Sequence, residues 1–147
     1  MSLASVRHRK GCQHMVTRLI VATQQREQFV DVTAMVTEAL RETGVQSGIA
    51  TLFVPHTTAA LTINENADPD VTADMLQGLS EIVPRRASFY RHAEGNSDAH
   101  IKASLLGSSL QFMIEDGKLQ LGTWQGVYLA EFDGPRERRL WVKFAPD

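Results

Sequence analysis

The chain has 147 residues, of which 43% are hydrophobic and 22% charged, a balance typical of one soluble globular domain. Its formal net charge is −2, so it lacks the basic excess that non-specific nucleic-acid binding requires. No apolar run approaches the roughly 20 residues that span a bilayer. We therefore expect neither a nucleic-acid partner nor a membrane partner.

Cys12 is the only cysteine, which excludes an intrachain disulfide and a thiolate metal cluster. The start of the chain lacks the charged-then-apolar layout of a secretory signal, so a reducing cytoplasm is the expected location. Residues 1–12 carry little hydrophobic pattern and begin like a cloning remnant. We expect 1–12 to be disordered or cloning-derived and 13–147 to form a single domain.

The first half of the chain is predicted to contain strands and one short helix. Strands are predicted over residues 13–23, 48–54 and 59–63 from their alternating or β-branched apolar patterns. Thr33 can cap a helix over 34–43, which Gly44 ends in the usual position. The His56-Thr57-Thr58 segment then lies between two strands or at a strand end.

Two further helices are predicted in the middle of the chain. Asp68 and Pro69 form a strong helix start, an N-cap followed by proline at the first helical position. A third helix is predicted over 98–106, with Ile101 and Leu105 facing the core.

The C-terminal third is predicted to be β-structure. Strands are expected over residues 110–114, 119–121, 126–132 and 139–144, the first two joined by an Asp116-Gly117 turn. Seven or so strands with about three short helices, not in strict alternation, predict an α+β domain with a largely antiparallel sheet.

Two stretches are unusually rich in polar side chains between core-forming ones. Residues 56–70 contain His56, Thr57, Thr58, Asn64 and Glu65, and residues 92–100 form a second stretch of the same kind. Buried polar groups are costly unless they are paired, so such stretches usually have partners or a task. Two of them in one small domain indicate a site.

Three histidines, His56, His92 and His100, lie in these stretches. Imidazoles are common zinc ligands, and three of them leave one coordination position open for water or substrate. The spacings are long and no HExxH motif is present, so a hydrogen-bonding or acid–base role stays open.

The acidic residues allow two interpretations each. Asp98 can be a helix-dipole partner, or it can orient a histidine or hold Mg²⁺. Glu65 is either a solvated loop acid or a functional one. Glu131 is expected to face solvent, and the basic run 136–139 is expected at a solvated strand edge.

An anion site is also predicted. Asn96 and Ser97 precede a helix whose first backbone amides can bind an anion. Further donors to a phosphate could come from Thr57, Thr58, Lys102 and Arg136.

Three long stretches carry a family resemblance. They are HTTAALTINENADPD (56–70), HAEGNSDAHIKASLLGSS (92–109) and GKLQLGTWQGVYLAEFDGPR (117–136), in this order. Through them the chain resembles the YjbQ-like family, also called the secondary thiamine-phosphate synthase family, over residues 13–144. The resemblance implies a compact α+β domain with barrel-like antiparallel sheets that assembles as a homotrimer.

The resemblance also implies chemistry and site residues. It implies the joining of a pyrimidine diphosphate to a thiazole phosphate with release of pyrophosphate. It suggests a divalent metal, zinc at His56, His92 and His100, with Mg²⁺ possible beside a diphosphate substrate. Glu65 and Asp98 are the expected catalytic residues. The expected substrate-binding residues are Thr57, Thr58, Asn64, Asn96, Ser97, Lys102, Gln125 and Arg136.

Three hypotheses about function follow. The first is a transferase of the thiamine-phosphate synthase kind acting on small phosphorylated metabolites. The second is a histidine-bound metal-dependent hydrolase or lyase, in which zinc activates a water molecule. The third is a non-enzymatic trimer that binds a small anionic metabolite.

Overall fold

The computed structural model describes residues 15–147, and the predictions made for residues 1–14 lie outside this range. Within it the chain forms eight strands and three helices. Their order is β1 (Thr17–Ala22), β2 (Gln28–Asp31), α1 (Thr33–Thr43), β3 (Gly48–Phe53), β4 (Ala59–Glu65), α2 (Pro69–Ile82), α3 (Ser97–Leu106), β5 (Ser109–Glu115), β6 (Lys118–Leu119), β7 (Gln125–Glu131) and β8 (Glu137–Pro146).

The strands form two antiparallel sheets. The larger has the order β1-β8-β3-β5-β6 and the smaller the order β2-β7-β4, with every pairing antiparallel. Their alternating inward side chains, among them Leu52, Leu61, Leu129 and Leu140, form the main apolar core. The predicted α+β class with antiparallel sheets and three helices is confirmed.

The helix starts follow the local sequence closely. The Asp68 carboxylate accepts a hydrogen bond from the Asp70 N–H at 2.9 Å, and Pro69 is the first residue of α2, as predicted. In α1, Thr33 is the first helical residue rather than the cap. The Asp31 carboxylate accepts from the Thr33 N–H at 2.9 Å, which is why the helix starts one residue earlier.

Helix α3 packs with the opposite face from the one predicted. Ile101 and Leu105 are 38% and 60% exposed, so the prediction that they face the core is wrong. Alanines face inward instead and pack on Ala60, Ala130 and Phe132. Small side chains allow the helix to approach β4 closely, and the charged residues buried beside them are paired with opposite charges.

β8 is an inner strand of the larger sheet, between β1 and β3, but its first residues, 137–140, pair with β1 alone. The expected solvated strand edge is therefore found at the exposed residues Arg136, Glu137 and Arg139 and is wrong for Arg138. Arg138 shares the inward face with Leu140 and Val142 and is buried.

Candidate functional site

The smaller sheet separates the predicted site residues into two groups. In the β4–β7 pairing, Ala59 lies opposite Glu131 at one end and Glu65 opposite Gln125 at the other. Strand residues rise about 3.3 Å each, so these ends are roughly 20 Å apart. His56, Thr57 and Thr58 precede the first end, which we call the histidine end, whereas Asn64, Glu65 and Gln125 lie at the other.

At the far end the predicted residues bind backbone groups. Asn64 Oδ1 accepts from the Glu65 N–H at 2.8 Å, and Gln125 Oε1 accepts from the Gly122 N–H at 2.7 Å. The Glu65 carbonyl accepts from the Tyr128 hydroxyl at 3.1 Å. These contacts stabilise the strand ends, and within one protomer this group does not meet the histidines.

A pocket of about 480 Å³ lies at the histidine end, between the start of β4 and α3. Two imidazoles, from His56 and His100, share its walls with hydroxyl groups and small residues. The remaining lining residues are Thr57, Ala59, Ala103, Ser104, Gly107 and Ser108. No carboxylate is among these residues. The Ser104 hydroxyl donates to the His100 carbonyl at 3.0 Å, which fixes this hydroxyl at the wall.

His56 is held in one tautomer. Its Nε2 accepts a hydrogen bond from the Arg139 backbone N–H at 2.8 Å, so the ring proton of the neutral form is on Nδ1. Burial lowers the pKa of His56, and the cations Arg138 and Arg136 lower it further against the opposing effect of Glu131. The imidazole is therefore neutral at pH 7 and lies in a net positive field.

A buried ion pair, Glu131 with Arg138, lies close enough to His56 to influence its pKa. Glu131 is 0% exposed, so the expectation that it faces solvent is wrong. Both carboxylate oxygens accept from the Arg138 guanidinium, Oε2 at 2.7 Å from Nε. Arg138 Nη2 also donates to Thr58 Oγ1 at 2.8 Å, and the Thr23 hydroxyl donates to Glu131 at 2.9 Å. Thr58 is thus buried in this network and supports Arg138.

Sequence reasoning missed Arg138, although a signal was present. Arg138, Leu140, Val142 and Phe144 are spaced by two residues, which places all four on one face of a strand. A cation on that face needs a buried anion, and Glu131 lies on the inward face of β7.

A second buried charge cluster is centred on α3. Asp98 accepts two hydrogen bonds from the Arg26 guanidinium, at 3.0 and 3.1 Å. Lys102 Nζ lies 2.7 Å from Glu27 and 3.7 Å from Asp98. Hydrogen bonding to Asp98 raises the pKa of Arg26. Two cations and two carboxylates balance here, and a pocket of about 390 Å³ opens beside them, with Ser80 and Arg85 in its wall.

Arg26 and Glu27 were also missed, and here no local signal existed. They lie in the loop between β1 and β2, more than 70 residues before Asp98 and Lys102 in the chain. Only the i, i+4 spacing of Asp98 and Lys102 on one helix face was visible in the sequence.

The predicted anion site at the start of α3 is tied to Asp133. Asn96 Nδ2 donates to Asp133 Oδ2 at 2.9 Å, and Arg136 Nη2 donates to the same oxygen at 3.2 Å. Asn96 is the N-cap residue but makes no side-chain cap bond. Its Oδ1 is buried and has no hydrogen-bond partner among residues 15–147. Asn96 and Arg136 thus both donate to the carboxylate of Asp133. Ser97, the next residue after Asn96, lines a neighbouring pocket.

The three histidines are neighbours but do not converge. The rings of His92 and His100 lie edge to face with centroids 5.4 Å apart, and His100 shares the pocket wall with His56. Among residues 15–147, no three His, Cys, Asp or Glu side chains are placed to hold a metal ion. Because Nε2 of His56 is hydrogen-bonded, one protomer in this conformation does not fit a three-histidine zinc site. The metal stays a prediction.

None of the helices in the part of the chain that the structure describes is long and apolar enough to cross a membrane.

Comparison with known proteins identifies a family and relatives that belong to it. A family model described as UPF0047 protein YjbQ-like matches residues 17–147. The UPF0047 protein MJ1081 of Methanocaldococcus jannaschii is 51% identical, covering 90% of this chain and 96% of the relative. The UPF0047 protein YugU of Bacillus subtilis is 49% identical, covering 88% and 98%.

Solved structures show the same fold. A conserved protein of the YjbQ/UPF0047 family from Clostridium acetobutylicum superposes with a TM-score of 0.85 at 55% identity, covering 88% of this chain and 99% of that one. The conserved hypothetical protein TT1486 from Thermus thermophilus gives 0.82 at 49% identity, with coverages of 88% and 99%.

Proposed function

The chain belongs to the YjbQ-like UPF0047 family, and on that premise we propose that it is a transferase for small phosphorylated metabolites. The proposed reaction is of the thiamine-phosphate synthase kind, in which a pyrimidine diphosphate and a thiazole phosphate are joined and pyrophosphate is released.

One observation carries this proposal: the pocket at the histidine end contains imidazole and hydroxyl groups and no carboxylate among its lining residues. The hydroxyls of Thr57 and Ser108 and the Nδ1–H of His56 are donors to phosphate oxygens. Arg138 and Arg136 disfavour a positive charge on His56, and the same field favours an anion in the pocket.

The proposed reaction needs no general base, which suits a pocket without a carboxylate in its lining. The bond between the pyrimidine methylene carbon and the diphosphate oxygen breaks, and its electron pair leaves with pyrophosphate. The thiazole nitrogen then uses its lone pair to form the new carbon–nitrogen bond. No proton is transferred in this step, so catalysis consists of orienting the two substrates and stabilising the leaving charge.

This chemistry changes the roles that we propose for the acids. Asp98 is buried and bound by Arg26, so we assign it as a positioning residue that fixes the first turn of α3 and thereby His100. Glu65 lies at the far end of the smaller sheet and has no proposed step within one protomer.

A metal-dependent hydrolase or lyase is the second candidate, favoured by the contact between His92 and His100. Zinc there would supply a Lewis acid, with Mg²⁺ the alternative beside a diphosphate. Elemental analysis of protein purified without chelator tests this candidate. Stoichiometric zinc that is lost in both His92→Ala and His100→Ala would support it. Metal-free protein that joins the two phosphorylated precursors would refute it.

We also propose a cytoplasmic homotrimer with no nucleic-acid or membrane partner. In helix α2, Val71, Met75 and Leu79 follow helical spacing but are only half-buried within one protomer. Ile82 at its end is 74% exposed. Such apolar surface is usual where copies of a chain meet.

The transferase proposal is tested by titration calorimetry with pyrophosphate and with each phosphorylated precursor. Thr57→Val removes one donor while keeping the shape of the side chain, and we expect weaker pyrophosphate binding. Thr37→Val, on the exposed face of α1, is the matched control and should bind like the wild type. Absence of binding by all three compounds would refute the proposal. Binding without turnover of the paired precursors would favour a non-enzymatic binder.

A further inference from the structure

The loop of residues 84–96, between α2 and α3, is held in place by its own hydrogen bonds. The Tyr90 hydroxyl donates to the Pro84 carbonyl at 2.8 Å, and the Tyr90 N–H donates to the Ala87 carbonyl at 3.1 Å. The Gly95 N–H donates to the His92 carbonyl at 3.2 Å. The aromatic and basic side chains of this loop therefore have a defined framework.

An aromatic cleft of about 480 Å³ lies between this loop and α3. Its walls include Phe89, Tyr90 and Ile101, together with the paired rings of His92 and His100. Phe89 is 73% exposed and meets Tyr90 edge to face, with centroids 4.9 Å apart. A planar ring that enters the cleft would gain apolar and stacking contacts, and the volume is in the range of small-ligand sites.

A basic pocket of about 450 Å³ adjoins the cleft and shares Tyr90 and His92 with it. Arg85 and Arg86 line this pocket. Neither makes an ion pair among residues 15–147, in contrast with Arg26, Arg136 and Arg138. Glu94 is the single acid in the lining, so two cations face one carboxylate. This surplus favours an anionic group within a few ångströms of the cleft.

We propose that the aromatic cleft and the basic pocket form one site for a phosphorylated aromatic compound. The ring enters beside Phe89 and Tyr90, and the phosphate binds Arg85 and Arg86. The inference rests on the proposed transferase function and deepens it, because such a transferase needs two phosphorylated substrates. The cleft and the histidine-end pocket both have His100 in their walls, so two bound substrates would meet at this residue.

Titration calorimetry of the full chain with phenyl phosphate and with inorganic phosphate tests the site. We expect Phe89→Ala to weaken phenyl phosphate binding about tenfold, the loss of one stacked ring, and to leave inorganic phosphate binding unchanged. Arg86→Gln should weaken both. Phe53→Ala, another exposed aromatic residue on β3, is the matched control and should change neither.

The outcomes separate this site from the histidine-end pocket. Thr57→Val should weaken pyrophosphate binding and leave phenyl phosphate binding intact, so failure of either proposal shows independently of the other. Unchanged phenyl phosphate affinity in Phe89→Ala would overturn the inference. A change in the oligomeric mass of Phe89→Ala would also overturn it, because the cleft would then be covered by a second copy.

Discussion

The imidazole of His56 accepts a hydrogen bond from the backbone N–H of Arg139 at 2.8 Å, which joins the loop before β4 to β8, an inner strand of the larger sheet. This bond needs a neutral ring with a free Nε2 lone pair. Protonation of His56 would break it and place a further positive charge beside Arg138, Arg136 and Arg139.

Stability should therefore depend on pH through His56. Burial and the neighbouring cations lower its pKa in the folded state below the unfolded value of about 6.5. The neutral His56 ring therefore contributes fully to the free energy of unfolding above the unfolded pKa of about 6.5. This contribution is lost as the pH falls toward the folded pKa. Urea unfolding of wild type and His56→Gln between pH 8 and 5 measures it, since we expect the two free energies to converge on acidification. If the free energies of unfolding of wild type and His56→Gln differed by the same amount at every pH, the pH dependence would not come from His56.

The Glu131–Arg138 pair should contribute strongly to stability. Arg138→Met leaves a buried carboxylate without its cation, which costs about 3–5 kcal/mol in comparable cases. Arg139→Met, at the adjacent exposed position, is the matched control and should change the free energy of unfolding by less than about 0.5 kcal/mol. Equal effects of the two substitutions in urea unfolding would show that the pair is not the cause.

Asp98 and Arg26 should be energetically coupled. A double-mutant cycle with Asp98→Asn and Arg26→Met should give a coupling energy of about 0.5–3 kcal/mol, because they share two hydrogen bonds. A cycle of Asp98→Asn with Arg41→Met, an exposed arginine of α1, should be additive. If both cycles were additive, Asp98 would not be held by Arg26 in solution.

Gly134 permits a close approach between the loop before β8 and the buried pair. A Cβ at this position would lie 2.4 Å from the Gln25 carbonyl oxygen and 2.8 Å from Glu131 Cγ. Gly134→Ala should therefore destabilise the protein by more than about 1 kcal/mol. Gly78→Ala is the control, since nothing lies within 4 Å of its Cβ and helix α2 should gain about 0.5–1 kcal/mol. Thermal unfolding should show a lower melting temperature for Gly134→Ala and a higher one for Gly78→Ala than for the wild type.

The trimer should be visible in solution. Light scattering after size exclusion should give three times the 16.3 kDa chain mass. Ile82→Glu places a charge on apolar surface that we propose to be covered, and we expect a smaller species. Glu81→Gln, its exposed neighbour, should leave the mass unchanged. A wild-type mass of a single chain would refute the trimer.

The sequence by itself determined the local elements. Asp68 and Pro69 fixed the start of α2, Gly107 follows the end of α3, and the Asp116-Gly117 turn joins β5 to β6. These features depend on residues within a few positions of each other, so chain-local chemistry decides them. The α+β class followed from the same local signals.

Tertiary structure alone decided which polar residues meet. Arg26 reaches Asp98, and Arg139 reaches His56, across 72 and 83 positions of chain, and no spacing rule predicts such contacts. The strand pairing also separated Glu65 from the histidines, because a seven-residue strand places its two ends far apart. Contacts between distant segments also explain why Asp98 and Lys102 are buried while Ile101 and Leu105 are exposed. Asp98 and Lys102 can be buried because Arg26 and Glu27, from a distant segment of the chain, neutralise their charges. That segment lies beside α3 only in the folded chain.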